Sequence, residues 1–383
     1  MMKIDLSGQW RVKLDAEKQE TMPQAYPETM TLPGTTSAAG LGMPNPAKET
    51  GCLTDAYRFE GAVWFMRTFT AGDWTGEQTM LTLERTRKTT VYLDGRPIGH
   101  QESLCTPHRY FLPPVHAGEH TLVIRVDNTD YPTRGGHLTS PDTQSNWNGI
   151  TGEISLTVAH TLLTDLTVRP DLRRGCLRVH GHIIGAPDGV AGIVLPGQME
   201  HLLPYRGGVL NGECPLKGNE AFWDEAHPEI HTISIDLDGD VYETTFGLRD
   251  VRTVGRRLLI NGRETFLRGK VDNLLYPKTG YTPTDVASWM TILGIAKEYG
   301  INHYRYHTAC PPDAAFTAAD LLGVYMAPEL PFWGTVTEEG EEGYDERERD
   351  FLFQEGFRIL REYGHHPSFL WLSLGNELWG SKD

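Results

Sequence analysis

The sequence predicts a multidomain β plus α/β protein: a jelly-roll domain, then an immunoglobulin-like β-sandwich, then the first half of a (β/α)8 TIM barrel. Three observations carry this reading. Up to about residue 247 the chain is a succession of short runs rich in β-branched and aromatic residues, separated by turn signals, with no convincing amphipathic helix. After Arg249 strand and helix patterns alternate strictly, which demands a parallel sheet with crossover helices. At 383 residues the chain is long enough for two to three domains, each with its own core.

Residues 1–160 form the first predicted domain. "AVWFMRTFT", "QTMLTLER", "KTTVYLDGRPIGH" and "HTLVIRVDN" read as strands, and Asp94-Gly95 as a hairpin turn whose central residues need positive φ. Many short strands of this kind close into a jelly roll. Residues 161–248 form the second, with "LTDLTVRPDL", "CLRVHGHII" and "HTISIDLDGDVYETTFGL" as its clearest strands and a size suited to a small sandwich. The run Asp236 to Asp240 resembles part of a calcium loop but lacks the remaining ligands, so it is read as a tight turn.

Residues 249–383 form the third. "RRLLINGRETFLRG" is a hairpin around Asn261-Gly262 that runs into a first strand ending near Lys270. Helix "PTDVASWMTILGIAKEYG", strand "INHYRYH", helix "PPDAAFTAADLLG", strand "VYMAPELPFW", helix "ERERDFLFQEGFRILREYG" and strand "SFLWLSLGNEL" follow. Thr282-Pro283 reads as an N-cap and first-turn pair, and Gly300, Gly323 and Gly364 as left-handed residues closing the three helices. Ala314, Ala315, Ala318 and Leu322 recur at three- and four-residue spacing, giving the second helix one apolar face. A doubly wound sheet is the competing architecture, but no G-x-G-x-x-G follows any strand.

The totals exclude some partners. A formal net charge of −16 argues against nucleic acid and against an anionic membrane surface. No stretch approaches the roughly 18 apolar residues of a membrane span. The five cysteines are scattered and read as free thiols. "MMKIDLSGQW" is not a signal peptide, so a cytoplasmic protein is expected, or an exported one if a leader has been removed. The oligomeric state stays open, a homo-oligomer included.

In a β/α barrel the site lies at the C-terminal ends of the strands. Those ends offer Lys270, Asp272 and Asn273, then His303, Arg305 and His307, then Glu329 and Trp333, then Asn376 and Glu377. Polar groups converging from four strands suit a small polar ligand. A carboxyl at Glu377, walled by Trp371 and Trp379, would have its pKa raised and could protonate a leaving oxygen. Glu329 reads equally as a second carboxylate or as a buried partner for Arg305. His303, Arg305 and His307 alternate along one strand face, which suits a polar layer under a substrate better than a metal site, and no metal is assigned. His365 and His366 precede the fourth strand at the opposite end and read as structural. The long polar loop Gly135 to Gly149 offers Trp147 and Asn148 for contact with a sugar.

"HHPSFLWLSLGNEL" resembles the H-P-S-x-x-x-W-S-x-G-N-E segment of glycoside hydrolase family 2, the β-galactosidase, β-glucuronidase and β-mannosidase group, with Trp371 one place earlier than usual. "FGLRDVRTVGRRLLINGRETFLRG", "GINHYRYH" and "WNGITGEISL" resemble three further family segments in the right order, so the resemblance covers the whole chain. It implies that the first domain is of the galactose-binding type. It implies Glu377 as the acid/base, Asn376 as the amide on the sugar 2-hydroxyl, Arg305 as support for the nucleophile carboxylate, and His307 as the second-strand histidine. The family's nucleophile lies on a seventh strand with no counterpart here. Asp272-Asn273 stands where the family commonly has a histidine, and "YHTAC" stands for its S-H-Y-P.

The expectation is therefore a retaining exo-β-glycosidase, β-galactosidase-like, acting on an oligosaccharide, polysaccharide or glycoside without metal or organic cofactor. This chain alone is expected to be inactive. The alternative is a non-catalytic carbohydrate-binding protein.

Overall fold

The computed structural model describes residues 1–47, 50–140 and 145–380. Its first region is two antiparallel sheets face to face. In the six-stranded sheet Ala62–Ala71 lies between Gly118–Asp127 and Gly8–Asp15. The four-stranded sheet orders Met2–Asp5, Ile154–Ala159, Gln78–Leu83 and His108–Leu112. Alternation sends Trp10, Val12, Phe65 and Ile124 from one sheet onto Leu81, Leu83, Ile154 and Leu156 from the other, and these make one core. Asp94 and Gly95 turn the predicted hairpin with φ of 49° and 79°.

The second region packs a three-stranded sheet (Leu162–Asp171, Cys176–Ile184, Val209–Pro215) on a four-stranded one that includes Gly189–Val194 and His231–Leu237. Val168, Leu177, Val179, Ile193, Ile233 and Ile235 fill the space between. The acidic run is a hairpin turn: Asp238 and Gly239 have φ of 56° and 93°, and Gly239 N donates to Asp236 Oδ1 at 2.7 Å.

The third region begins with the Asn261-Gly262 hairpin, which joins Arg257–Ile260 to Arg263–Glu264. Strands Gly269–Asp272, His303–Tyr306 and Tyr325–Ala327 then pair in parallel, connected by helices α1 (Val286–Glu298) and α2 (Asp313–Leu322). Tyr304, Tyr306 and Met326 point outward onto Trp289 and Leu293 of α1 and Phe316 of α2. Helix α3 (Glu346–Tyr363) follows. The fourth strand differs from the expectation of one continuous element. Phe369 and Ser373 make single parallel bridges to Met326 and Glu329, and the regular strand, Asn376–Gly380, pairs instead with Trp333–Val336.

Two helix signals also need correction. α1 is capped by Asp285, whose carboxylate accepts from Ser288 N at 2.8 Å, not by Thr282; Pro283 disfavours helical backbone in the residue before it and the helix starts later. Gly364 is not left-handed: its φ is −67°. Its lack of a side chain serves close approach, because a Cβ there would sit 2.4 Å from Leu360 O.

Regions one and three are clamped together. The buried Glu355 carboxylate of α3 accepts from Ser103 Oγ, Leu104 N and Cys105 N at 2.9, 2.9 and 2.8 Å. Arg109 holds Glu362 through two bonds of 2.6 Å. No helix among the described residues is long and apolar enough to cross a membrane. All five cysteines are free.

Candidate active site

The parallel register decides which side chains can meet. Val271, Arg305 and Ala327 are in register on one face; Asp272 is in register with Tyr306 on the other, helix-facing side. Arg305 therefore points to the inner face. Its Nε donates to Glu329 Oε1, and Thr308 N donates to Glu329 Oε2 at 2.9 Å. Both oxygens of this carboxylate, which is 0% exposed, are thereby occupied. Of the two readings left open for Glu329, the buried partner is the one found.

Arg305 Nη2 donates to Asn376 Oδ1 at 2.8 Å. One guanidinium thus fixes the third and fourth strand ends in a planar fork that a lysine could not reproduce. Asn376 is buried, and the bond fixes its amide with Nδ2 as the free end. That Nδ2 has no hydrogen-bond partner. A buried donor left unmade costs about 1–3 kcal/mol, so its presence calls for an explanation. His307 Nδ1, in the same cluster, is a second such atom.

Glu377 follows Asn376 at φ 43°. Gly375 makes the tight approach, since a Cβ on it would lie 2.5 Å from Phe332 O. Thr308 and Leu274, each two residues past a strand end, also have positive φ, at 51° and 55°. Strained non-glycine backbone gathered at one end of a sheet is a mark of sites held in place by their surroundings. Glu377 itself is exposed, as are Trp371 and Trp379, so the expected wall around the carboxyl is not formed by them. Trp371 instead lies against His303, with ring centres 5.3 Å apart, and His303 Nδ1 contacts Tyr325 O.

The long loop of region one does reach this end, through a residue the sequence did not single out. His137 N donates to Thr308 Oγ1 at 2.7 Å, and Asn273 Nδ2 donates to His137 Nε2 at 3.0 Å. The His137 ring sits 4.5 Å from that of His307 and 5.9 Å from that of Trp333, and His307 meets Trp333 edge-on at 5.2 Å. Burial, with the His307 charge second, lowers the His137 pKa to about 4, so the ring is neutral near pH 7. Two consecutive glycines make the insertion feasible: a Cβ on Gly135 would lie 2.0 Å from Trp333 O, and one on Gly136 2.8 Å from Pro331 O. That pair was the available signal.

Three expected contacts are placed elsewhere. Trp147 is buried under Arg87, whose guanidinium carbon lies 4.0 Å from the ring centre. Asn148 is fully buried and donates to Gly61 O and Val126 O, tying strands within region one. Asp272 accepts from Leu274 N at 2.8 Å and pairs with Lys270, facing the tyrosines. Residues 141–144 of the loop lie outside the described residues. The assembled group is therefore Arg305, Glu329, Asn376, His307, His137, Asn273 and Trp333, with Glu377 next in the chain to Asn376. His365 and His366 lie at the other end of the sheet, where His366 is buried between Asp320 and Asp313.

No family model matches the chain. The fold does match solved structures. A GH2 β-galacturonidase from Eisenbergiella tayi bound to galacturonate superposes with a TM-score of 0.78 at 19% identity, over 98% of this chain and 66% of that one. A β-glucuronidase from Faecalibacterium prausnitzii gives 0.78 at 18%, over 98% and 68%. A β-D-glucuronidase from Dictyoglomus thermophilum gives 0.73 at 17%, over 98% and 67%. A β-galactosidase from Arthrobacter sp. (strain B7) is 25% identical over 159 residues, 40% of this chain and 16% of that one. The chain has the fold of the GH2 structures and spans about two thirds of their length.

Proposed function

We propose that this chain is the N-terminal portion of a family 2 glycoside hydrolase, a retaining exo-β-glycosidase whose acid/base is Glu377. In this reading residues 1–160 are a galactose-binding-like jelly roll, 161–248 an immunoglobulin-like sandwich, and 249–383 the first half of a TIM barrel. The observation that carries it is the Arg305 fork. It fixes Glu329 and the amide oxygen of Asn376, and leaves Asn376 Nδ2 as a buried donor without a partner beside Glu377. A substrate hydroxyl would satisfy that donor. Bonds of this kind to the 2-hydroxyl strengthen as the sugar approaches an oxocarbenium ion, which converts binding into rate.

Retention needs a second carboxylate about 5–5.5 Å from the first. Glu329 is unsuited, because both its oxygens are engaged and it is shut away from solvent. The nucleophile then belongs to strands that complete the barrel. An exposed apolar groove beside the fourth strand supports such a completion: Phe353 and Phe357 of α3 line it with Leu374 and Leu378, all exposed, and a patch of this kind needs covering. Glu377 would protonate the leaving oxygen, then deprotonate the water that releases the sugar. His137 and Trp333 would line the sugar subsite with neutral, flat surfaces.

β-Galactosidase is the activity drawn from the sequence; the solved neighbours named above act on uronides, so both sugars belong in the test. The complete protein is assayed against aryl β-galactoside, β-glucuronide, β-galacturonide and β-mannoside, with the 383-residue chain in parallel. Turnover of one of them by the complete protein, with retained stereochemistry and none by the shorter chain, agrees. Inactivity of the complete protein on all four would favour a non-catalytic carbohydrate-binding role.

A further inference from the structure

The chain is strongly acidic, with 51 acidic residues against 35 basic. One cleft reverses that sign. It lies where the turn end of the second region's three-stranded sheet meets the hairpin that opens the third region, and its volume is about 880 Å³. That is within the range of sites that bury small ligands, ~300–1,000 Å³. Five arginines line it and only two carboxylates. Arg178 pairs with Asp171 at 2.7 Å and Arg252 with Asp250 at 2.5 Å. Arg169 and Arg173 have no carboxylate within ion-pair distance among the described residues, and neither has Arg249. Arg169 and Arg173 are left uncompensated, and Arg249 feels Asp320 only from beyond ion-pair distance.

Arg249 is the most telling of them. One terminal nitrogen donates to Phe369 O, while the other, Nη1, is buried with no partner. Burial lowers its pKa to about 10, against a partial pull upward from Asp320 and Tyr325. The lining also includes Phe222, a ring 46% exposed at the cleft wall. The arginines come from four separate stretches: a strand, the turn after it, the returning strand and the chain entering the hairpin. Spread cations with one apolar ring suit an extended ligand carrying repeated carboxylates, since a compact ion would need them to converge. Planar guanidinium forks match carboxylates, and an exposed ring offers a face for sugar C–H groups.

We infer that this cleft binds a carboxylate-bearing saccharide chain at a distance from the strand ends that hold Glu377. It shares no residue with that cluster. The saccharide half of this assignment rests on the glycosidase reading; the anionic half does not. A second site of this kind would hold an acidic polymer while its terminus is processed elsewhere on the protein.

The test is calorimetric titration of the 383-residue chain with trigalacturonate, with a neutral β-galactotriose and with inorganic phosphate. It is repeated for Arg169→Gln/Arg173→Gln, for Phe222→Ala and for Asn376→Ala. Arg169 and Arg173 are exposed, so their replacement spares the core. The expected result is binding of trigalacturonate alone, weakened about tenfold or more by the arginine pair and by added salt, less by Phe222→Ala, and not by Asn376→Ala. No binding, equal binding of the neutral triose, or phosphate binding as tightly would overturn the proposal. So would loss of binding in Asn376→Ala with the arginine variant unaffected, which would put the ligand at Glu377 and leave the glycosidase reading intact. Arginine-dependent binding by this chain, with the complete protein inactive on every aryl glycoside, would sink that reading and keep the anionic cleft.

Discussion

The two ends of the parallel strands use the same residue types to opposite effect. At the N-terminal end His366 is enclosed, with Nδ1 2.6 Å from Asp320 and Nε2 3.1 Å from Asp313. Asp320 Oδ1 also accepts from Ser368 N at 2.9 Å, and its carbonyl accepts from Trp223 Nε1 at 2.8 Å. Every one of these polar atoms has a partner. At the C-terminal end Arg305 is also paired, yet Asn376 Nδ2 and His307 Nδ1 are buried with none. Backbone strain at Thr308, Leu274 and Glu377 gathers there too. The fully paired His366–Asp320 group contributes stability, although His365 Nδ1 beside it is buried without a partner; the Asn376 and His307 group gives some up, and a substrate would restore it.

The comparison breaks most visibly under substitution. Asp320→Ala leaves His366 Nδ1 and the buried Ser368 N–H without partners and only Asp313 beside the imidazolium, a loss of about 3–5 kcal/mol. Urea unfolding should show it as a lower midpoint with an unchanged slope. Equal stability would mean that the two ends are not energetically different.

The pH dependence sharpens the contrast. Burial lowers the His366 pKa, but Asp320 and Asp313 outweigh it and raise the group to about 10 from 6.5. The folded state then holds a proton that the unfolded state has lost, so this contribution is complete below pH 6.5 and disappears as pH rises to about 10. His108, His137 and His365 behave oppositely. Burial lowers each to about 4, so stability falls as pH drops from about 6.5 toward 4. Unfolding midpoints across pH should give a dome; His366→Gln should flatten its alkaline limb and His137→Gln should shorten its acid limb. Unaltered limbs in these variants would remove the basis for the assignment.

The smallest effect on stability belongs to Asn376→Ala. It gives up one bond to a partly exposed arginine and relieves an unsatisfied donor, so the change should stay within about 1 kcal/mol. If the complete protein is the proposed glycosidase, the same change should cut its kcat/KM far more than it moves the midpoint. A large stability loss with unaltered kinetics would make Asn376 part of the scaffold.

Local features were legible in the sequence, and contacts across long separations were not. The hairpins at Asp94-Gly95 and Asn261-Gly262 could be read because their turn residues sit within the turn. Strand order put Glu329 at the same end as Arg305 but left open whether it was a second carboxylate or the arginine's buried partner, which the structure shows it to be. Asp272 was misassigned because its strand is four residues long, too short for alternation to fix the face. Trp147 and Asn148 were singled out on chemistry alone, and His137 was not. What brings His137 in is a bond to Thr308, 171 residues away, and no local pattern encodes it. The pair Gly135-Gly136 was the one trace of that approach.

The central claim is that Glu377 transfers the proton. In the complete protein Glu377→Gln keeps the shape and removes the proton, and on the proposed reading such assistance is worth ~10²–10⁴-fold. Glycosides with poor leaving groups should lose about that much in kcat/KM. Those with very good leaving groups should keep a fast first step, then accumulate the glycosyl-enzyme, because no base activates water. Azide needs no base, so it should restore turnover and give a β-glycosyl azide. Equal slowing of good and poor leaving groups, with no response to azide, would contradict the account and leave Glu377 as a carboxylate that only shapes the end of its strand.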